Sequence, residues 1–304
     1  MEETSPHLPG VRILAVCATY NRREVTLAGL RSLNSQQLPA NAILQLAVVD
    51  DNSTDGTIDA VRQEFPAALT LKSIGGLYWA GAMRFGFSHF WDKEKYSHLL
   101  VFNDDCVFYP NAVKKLIEVT ESVNAAHGAV AVASLRDKFT GDLTYGGMKR
   151  RRWRPAIYLD RVIPSGDIQV VDTLNMNLAL ISGKCLERNE LIREGFSHSL
   201  ADFDFGLRAS RNGAKVYLAP GFLGECSRNQ TQGTWEDGNV SLRRRWSLIC
   251  QPKGLPLKPR YIYLKSHSPF IWPAIFVWPY VRLCISYLLI RARQLVNRGA
   301  AFLR

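Results

Sequence analysis

Short apolar runs alternate with amphipathic stretches through the first half of the chain. Val11 to Ala18 is apolar and rich in β-branched residues, which predicts a buried strand. Arg22 to Gln37 carries Val25, Leu27, Leu30 and Leu33 at helical spacing. Further strands are expected over Leu44 to Val49, Leu69 to Ser73, His98 to Phe102 and Ala129 to Ser134. A second helix should end near Phe65, and Pro110 should open a third, at a position where proline is tolerated. This β-α-β-α order predicts an α/β fold with a mostly parallel central sheet flanked by helices. The alternation is lost from about Gly141 to Val171. It returns with a strand at Leu178 to Ser182 and helices near Lys184 to Arg193 and Asp202 to Arg211.

Ligands in such sheets sit beyond the carboxyl ends of the strands. Three polar clusters fall there: Thr19-Tyr20-Asn21, Asp50-Asp51-Asn52 and Asn103-Asp104-Asp105. Adjacent carboxylates such as Asp104 and Asp105 repel unless a cation compensates, and a divalent metal carrying a diphosphate is one such cation. A solvated turn or helix cap would use the same residues, and Asp50 to Gly56 is good capping sequence. Asp202 and Asp204 stand two apart in an expected helix, so they diverge by about 200° and only one can face a site. Gly75 to Gly81 mixes small and aromatic residues, Gly76 and Trp79 among them, which suits close approach of a ligand.

Composition narrows the classes. With 304 residues, 47% apolar and 21% charged, the chain has the profile of a globular protein. A net charge of +11 calls for an anionic partner: nucleic acid, a phosphorylated small molecule or an anionic membrane. Six cysteines form no C-x-x-C pair, and Met1 to Gly10 lacks the pattern of a secretory leader, so a reducing cytosol is expected. Walker A, G-x-G-x-x-G, G-x-S-x-G and His-based metal motifs are missing from the sequence.

Taken in order, these segments resemble the family 2 glycosyltransferases, which have a GT-A fold. Ile13 to Arg22 is similar to that family's first strand and loop, and Ala47 to Thr57 to its second. Val101 to Asp105 stands where the family's D-x-D motif belongs, and Ala201 to Ala209 resembles its E-D-x-D-x-x-x-R block. The resemblance covers roughly residues 11–226. It implies a catalytic domain over 1–235, with a nucleotide-sugar half over about 11–135 and an acceptor half over about 136–235.

The resemblance also implies roles. Tyr20 would pack on the nucleotide base beside Thr19 and Asn21. Asp51 would bond the base, and Asp50 would support that loop. Gly76, Trp79 and Asp104 complete the nucleotide-sugar set. Asp105, with Asn103, would ligate Mg²⁺ or Mn²⁺. Asp202 would be the general base of an inverting transfer, with Asp204 and Arg208 on the acceptor side. Three positions depart from the family pattern: Asn103 and Ala201 replace acids, and Cys226 stands about where many members of the family have a metal-binding His. The layout looks most like bacterial enzymes that build O-antigen and other surface polysaccharides, rhamnosyltransferases among them. That implies a dTDP- or UDP-sugar donor and a lipid-linked saccharide acceptor.

Residues 236–304 read as a helical, basic and aromatic extension. Pro269 to Ile290 is long enough to span a bilayer, but Pro273, Pro279 and Arg282 interrupt it. Trp272, Trp278, Tyr280 and the arginines 282, 291, 293 and 298 favour a segment lying on anionic lipid. The expected location is therefore peripheral, on the inner face of the cytoplasmic membrane. Packing of this segment in a homodimer is the second arrangement it allows. Rival functions are a nucleotidyltransferase and a non-catalytic partner that binds sugar nucleotides or membranes. Only charge favours nucleic acid, and no such partner is expected.

Overall fold

Alternation along the central strands sorts side chains to two faces, and each face meets its own layer of helices. The computed structural model describes residues 10–123, 125–227 and 232–302, with side chains up to residue 289. The chain begins β1 (Val11–Thr19), α1 (Arg23–Asn34), β2 (Ala42–Asp50), α2 (Thr57–Glu64), β3 (Leu69–Lys72), α3 (Tyr78–Phe90) and β4 (His98–Phe102). It continues β5 (Val107–Phe108), α4 (Ala112–Ser122), β6 (Ala129–Arg136), β7 (Leu143–Tyr145), β8 (Gly147–Arg150), β9 (Leu159–Arg161), β10 (Gln169–Val171), β11 (Thr173–Leu174) and β12 (Leu178–Ser182). It closes with α5 (Gly183–Leu186), α6 (Ala201–Arg211), β13 (Lys215–Glu225), α7 (Leu242–Ile249), α8 (Leu257–His267) and α9 (Trp272–Phe302).

The main sheet has the order β10-β13-β6-β12-β4-β1-β2-β3, with β5 on β13 and β7 on β6. Leu14, Val16, Val49, Leu99 and Val101 point to one face, under α3, α6 and α8. Ile13, Ala15, Val48, Leu100 and Phe102 point to the other, under α1, α2 and α4. The result is a mixed α/β fold of three layers.

Three expectations are corrected. The sheet is parallel from β3 to β4, but β12 runs antiparallel between β4 and β6, so its second half is mixed. The helix expected over 184–193 stops at Leu186. Asn189 Nδ2 takes the Cys185 carbonyl at 2.9 Å, and its Oδ1 accepts from Asn212. The irregular stretch 141–171 holds short strands, and β8 and β9 join β11 in a separate small sheet. The two longest elements not anticipated are α3 and β13. Both carry residues that weaken local propensity: Gly81 and Gly86 in α3, Pro220 and Gly221 in β13. Gly86 is required by packing, because a Cβ there would collide with Val49 and lie 3.4 Å from Val16. The register of β13 slips between Leu218 and Phe222, which accommodates the proline in a bulge.

The division expected near residue 135 falls at the end of β6, and strands from both sides of it share the one sheet. Beyond 236 the described elements are all helical. Trp272, Ile275 and Phe276 pack against the main core, and Tyr280 and Leu283 cluster with Ile249. A different stripe of α9 faces outward: Val277, Trp278, Val281, Ile285, Leu288 and Leu289. The window Trp272–Leu289 has mean hydropathy 1.3 and is long enough to cross a membrane. The side chains of Arg291, Arg293 and Arg298 lie outside the described residues.

Candidate active site

The ends of β1, β2 and β4 open into a cleft of about 800 Å³. That lies within the roughly 300–1,000 Å³ typical of small-molecule sites. Thr19, Tyr20, Asp51, Gly76, Trp79, Asn103, Asp104, Asp105 and Asp202 all line it. The cleft also receives the first residues of α3 and approaches the start of α6. Helix N-termini carry partial positive charge and favour anions.

The first wall is built by turn chemistry. Asp50 accepts from the Ser53 amide and hydroxyl, which folds the loop after β2. Asn21, in a left-handed conformation with φ 49°, accepts from Thr54 N at 2.8 Å and donates its own amide to Ser53 Oγ. These two residues do not line the cleft; they tie the two loops that do. Asp51 accepts from Ser73 Oγ at 2.7 Å, Leu77 N at 3.1 Å and Tyr78 N at 2.9 Å. It thus caps α3 and keeps about one of its four lone-pair sites for a ligand.

The second wall is the acidic pair. Arg22 Nη1 lies 3.1 Å from Asp104 Oδ1 and 3.0 Å from Asp105 Oδ2. Burial raises the Asp104 pKa, against the pull of Arg22. Burial also works against the charged form of Arg22, but the two carboxylates outweigh it and hold the pKa above its ordinary value. Arg22 was not assigned a role from the sequence, although it directly follows Tyr20-Asn21. Asn103 Oδ1 is buried without a hydrogen-bond partner in the protein. Asn103, Asp104 and Asp105 therefore present oxygen donors to the cleft, and they fit a hard divalent cation.

The third wall is α6 and its approach. Leu200 takes a left-handed turn, φ 70°, and Asp202 follows in the first turn of the helix. Asn175 Nδ2 donates to Asp202 Oδ2 at 3.2 Å. Burial pushes the Asp202 carboxyl up to about 6, against its hydrogen bonds from Phe203 N and Asn175.

Asp204 points the other way and is fully buried. It accepts from Arg193, Arg208 and His267. Burial raises its pKa, but these partners prevail and hold it at about 2. The expected acceptor-side role of Asp204 and Arg208 thus becomes a different one. Neither lines the cleft, and together they lock α6 against the segment around Arg193 and α8.

Several lining residues were not anticipated. Asn175 and Asn177 flank Met176, and their i, i+2 spacing before β12 was the available signal. His198 and Lys253 carry no local signal. They meet because Ser199 Oγ donates to the carbonyls of Pro252 and Gly254. Burial pushes His198 down to about 4, helped by the charges of Lys253 and Arg22, so it is neutral at pH 7. Trp79 Nε1, Asn175 Oδ1 and His198 Nδ1 are buried without partners in the protein, as Asn103 Oδ1 is. Unpaired buried polar atoms are costly, and four around one cleft mark a surface made to bond a polar ligand.

The comparisons agree with this geometry. The sequence profile of glycosyl transferase family 2 matches residues 15–173. No curated protein sequence matches. Among solved structures, mannosyltransferase PcManGT from Pyrobaculum calidifontis, in complex with GDP-Man and Mn²⁺, is 16% identical with TM-score 0.54. That match covers 96% of this chain and 80% of the other. S. aureus TarS 1-349 with UDP-GlcNAc is 15% identical with TM-score 0.52, over 86% and 73% of the two chains. GalNAc-T7 with UDP, GalNAc and Mn²⁺ is 12% identical with TM-score 0.58, over 81% and 48%. These likenesses show a shared GT-A fold. The profile spans just over half of the 304 residues and carries the first three motif strands, so the chain belongs to glycosyl transferase family 2.

Proposed function

We propose that this glycosyltransferase moves a sugar, with inversion, from a nucleoside-diphosphate donor to a hydroxyl of a lipid-linked saccharide. The observation that carries the reading is the placement of Asp202 in the same cleft as Asp104 and Asp105. Asp51, Tyr20 and Trp79 hold the nucleotide end. Arg22 faces the diphosphate. Asp202 accepts the proton of the acceptor hydroxyl as its oxygen bonds the anomeric carbon and the bond to the diphosphate breaks. A pKa near 6 leaves Asp202 mostly ionised at pH 7 while keeping it basic enough to take a proton. Asn103, Asp104 and Asp105 would hold Mg²⁺ or Mn²⁺, which supplies charge neutralisation for the leaving diphosphate.

The nucleotide complexes of the three similar structures support a nucleotide-sugar donor. UDP and dTDP lead the candidates, with rhamnose among the sugars. The outward apolar stripe of α9 supports work at the inner face of the cytoplasmic membrane, where acceptors for O-antigen and other surface polysaccharides are lipid-linked. Calorimetric titration with UDP, dTDP, GDP and CDP, each with and without Mn²⁺, tests the donor site. One nucleotide should bind selectively, with its metal dependence lost in Asp105→Ala. Folded protein that binds none of the four would remove this reading.

A further inference from the structure

The basic loop that follows β8 takes no part in the cleft. From Lys149 to Asp160 it carries five basic residues against one acid. That acid is already matched, with Arg151 Nη2 2.7 Å from Asp160 Oδ1. Arg152 and Arg154 are exposed and make no ion pair among the described residues. Trp153 stands between them with 90% of its surface exposed. Its backbone is left-handed, φ 63°, in the turn that Arg154 N closes on the Arg151 carbonyl at 3.1 Å. That conformation is disfavoured for a bulky residue. The fold thus holds an indole outward against backbone preference, with the Arg152 guanidinium 5.5 Å from its ring centroid.

More exposed apolar surface lies nearby. Ala156 N donates to Ser268 Oγ at 3.0 Å, and the Tyr263 hydroxyl donates to the Ala156 carbonyl at 2.9 Å. These bonds pin the loop to the end of α8. Trp153 is three residues before Ala156, and Phe270 is two after Ser268. Chain reach of up to about 3.6 Å per residue keeps Trp153 and Phe270 within roughly 25 Å of each other. Phe270 is 96% exposed, and Ile271 beside it is exposed too, at the corner between α8 and α9. Tyr261 and Lys265 extend the patch along α8. Lys265 Nζ donates to the Tyr261 hydroxyl at 3.0 Å, and the Tyr261 ring meets Trp272 edge-on at 5.1 Å.

Apolar side chains left in water and rimmed by basic ones mark a contact surface for something both apolar and anionic. Nucleic acid offers phosphates and stacking but no apolar phase for Phe270 and Ile271. An anionic bilayer offers both parts, acyl chains for Trp153, Phe270 and Ile271 and headgroup phosphates for Arg152, Arg154 and Lys265. We propose that the 151–154 turn and the α8–α9 corner form a lipid-docking surface that seats this chain on an anionic bilayer. The surface rests on the membrane location proposed above and adds a contact separate from the outward stripe of α9.

The test is co-sedimentation of the full chain with vesicles of phosphatidylglycerol and phosphatidylcholine in equal parts, against phosphatidylcholine alone. Wild type should favour the anionic vesicles. Arg152→Gln with Arg154→Gln should lower that affinity on the order of tenfold, and added salt should shrink the difference. Trp153→Ser and Phe270→Ser should each lower it severalfold, whereas Trp153→Phe should keep most of it. All these side chains are exposed, so the variants should fold, as circular dichroism checks, and nucleotide calorimetry should match wild type. Serine and glutamine variants that bind anionic vesicles like wild type overturn this surface and leave the α9 contact standing. Wild type that ignores anionic vesicles removes both the surface and the membrane location, and leaves the donor site untouched. If the glutamine pair instead weakens binding to a single-stranded oligonucleotide and spares vesicle binding, the loop is a nucleic-acid contact and the proposal falls.

Discussion

Two aspartates two positions apart do opposite work because the helix turns them to opposite sides. Asp202 is raised to about 6 by burial, so transfer activity should fall on an acid limb near pH 6 as the base is protonated. Asp202→Asn should keep nucleotide binding and lose transfer by a factor on the order of 10² to 10⁴. The sign of its stability effect follows from the same shift. A carboxyl with a raised folded pKa helps the fold below the unfolded value and loses that help as pH rises through about 6. Asp202→Asn should therefore melt higher than wild type at pH 8, with the gap closing near pH 3.5. A variant that melts lower at pH 8 contradicts the burial argument.

Asp204 has the reverse sign. Its depressed pKa contributes stability above the unfolded value near 3.8, and that contribution is lost as pH falls toward 2. Asp204→Asn leaves Arg193 and Arg208 without their carboxylate and should cost about 3–5 kcal/mol in denaturant melts. A loss below about 1 kcal/mol would show that the arginines find water or other acceptors.

Among the elements, α6 does most to place the site. One face presents Asp202 to the cleft, and Phe205 and Leu207 anchor the helix on the core. Gly206 permits its approach to β11, since a Cβ there would sit 2.7 Å from Leu174 Cδ2 and 2.8 Å from Thr173 Cα. Gly206→Ala should destabilise by about 1–3 kcal/mol and lower transfer activity by tilting Asp202, as thermal melts and rate assays on one preparation would show. A stabilised, fully active alanine variant would mean that β11 yields freely. The division of labour on this helix was legible from its 100° step. Which aspartate took which side was not, because that depends on Arg193, Arg208 and His267 arriving from other segments.

At the scale of the whole molecule, one face of α9 is docked on the domain and another is apolar and outward. With the net charge of +11, this predicts binding to anionic vesicles that weakens with salt. Leu288→Glu with Leu289→Glu should reduce co-sedimentation with phosphatidylglycerol vesicles severalfold while leaving transfer to a soluble acceptor intact. Equal sedimentation of variant and wild type would exclude α9 as the contact.

The sequence by itself determined the succession of strands β1 to β4 along the chain, the polar loops that follow them and the family they resemble. Period-2 and period-3.6 patterns and turn residues are local signals, and each of these features rests on residues close together in the chain. It also sufficed to place Thr19, Tyr20, Asp51, Asp104, Asp105 and Asp202 at strand or helix ends. Tertiary structure alone decided what faces the cleft. It set Asn21 and Asp50 behind the wall, turned Asp204 and Arg208 inward, and brought in Arg22, Asn175, His198 and Lys253. It also reversed β12. Apart from the local Asp50–Ser53 and Asp204–Arg208 bonds, these outcomes depend on pairings across long stretches of chain, where burial and charge compensation outweigh local preference.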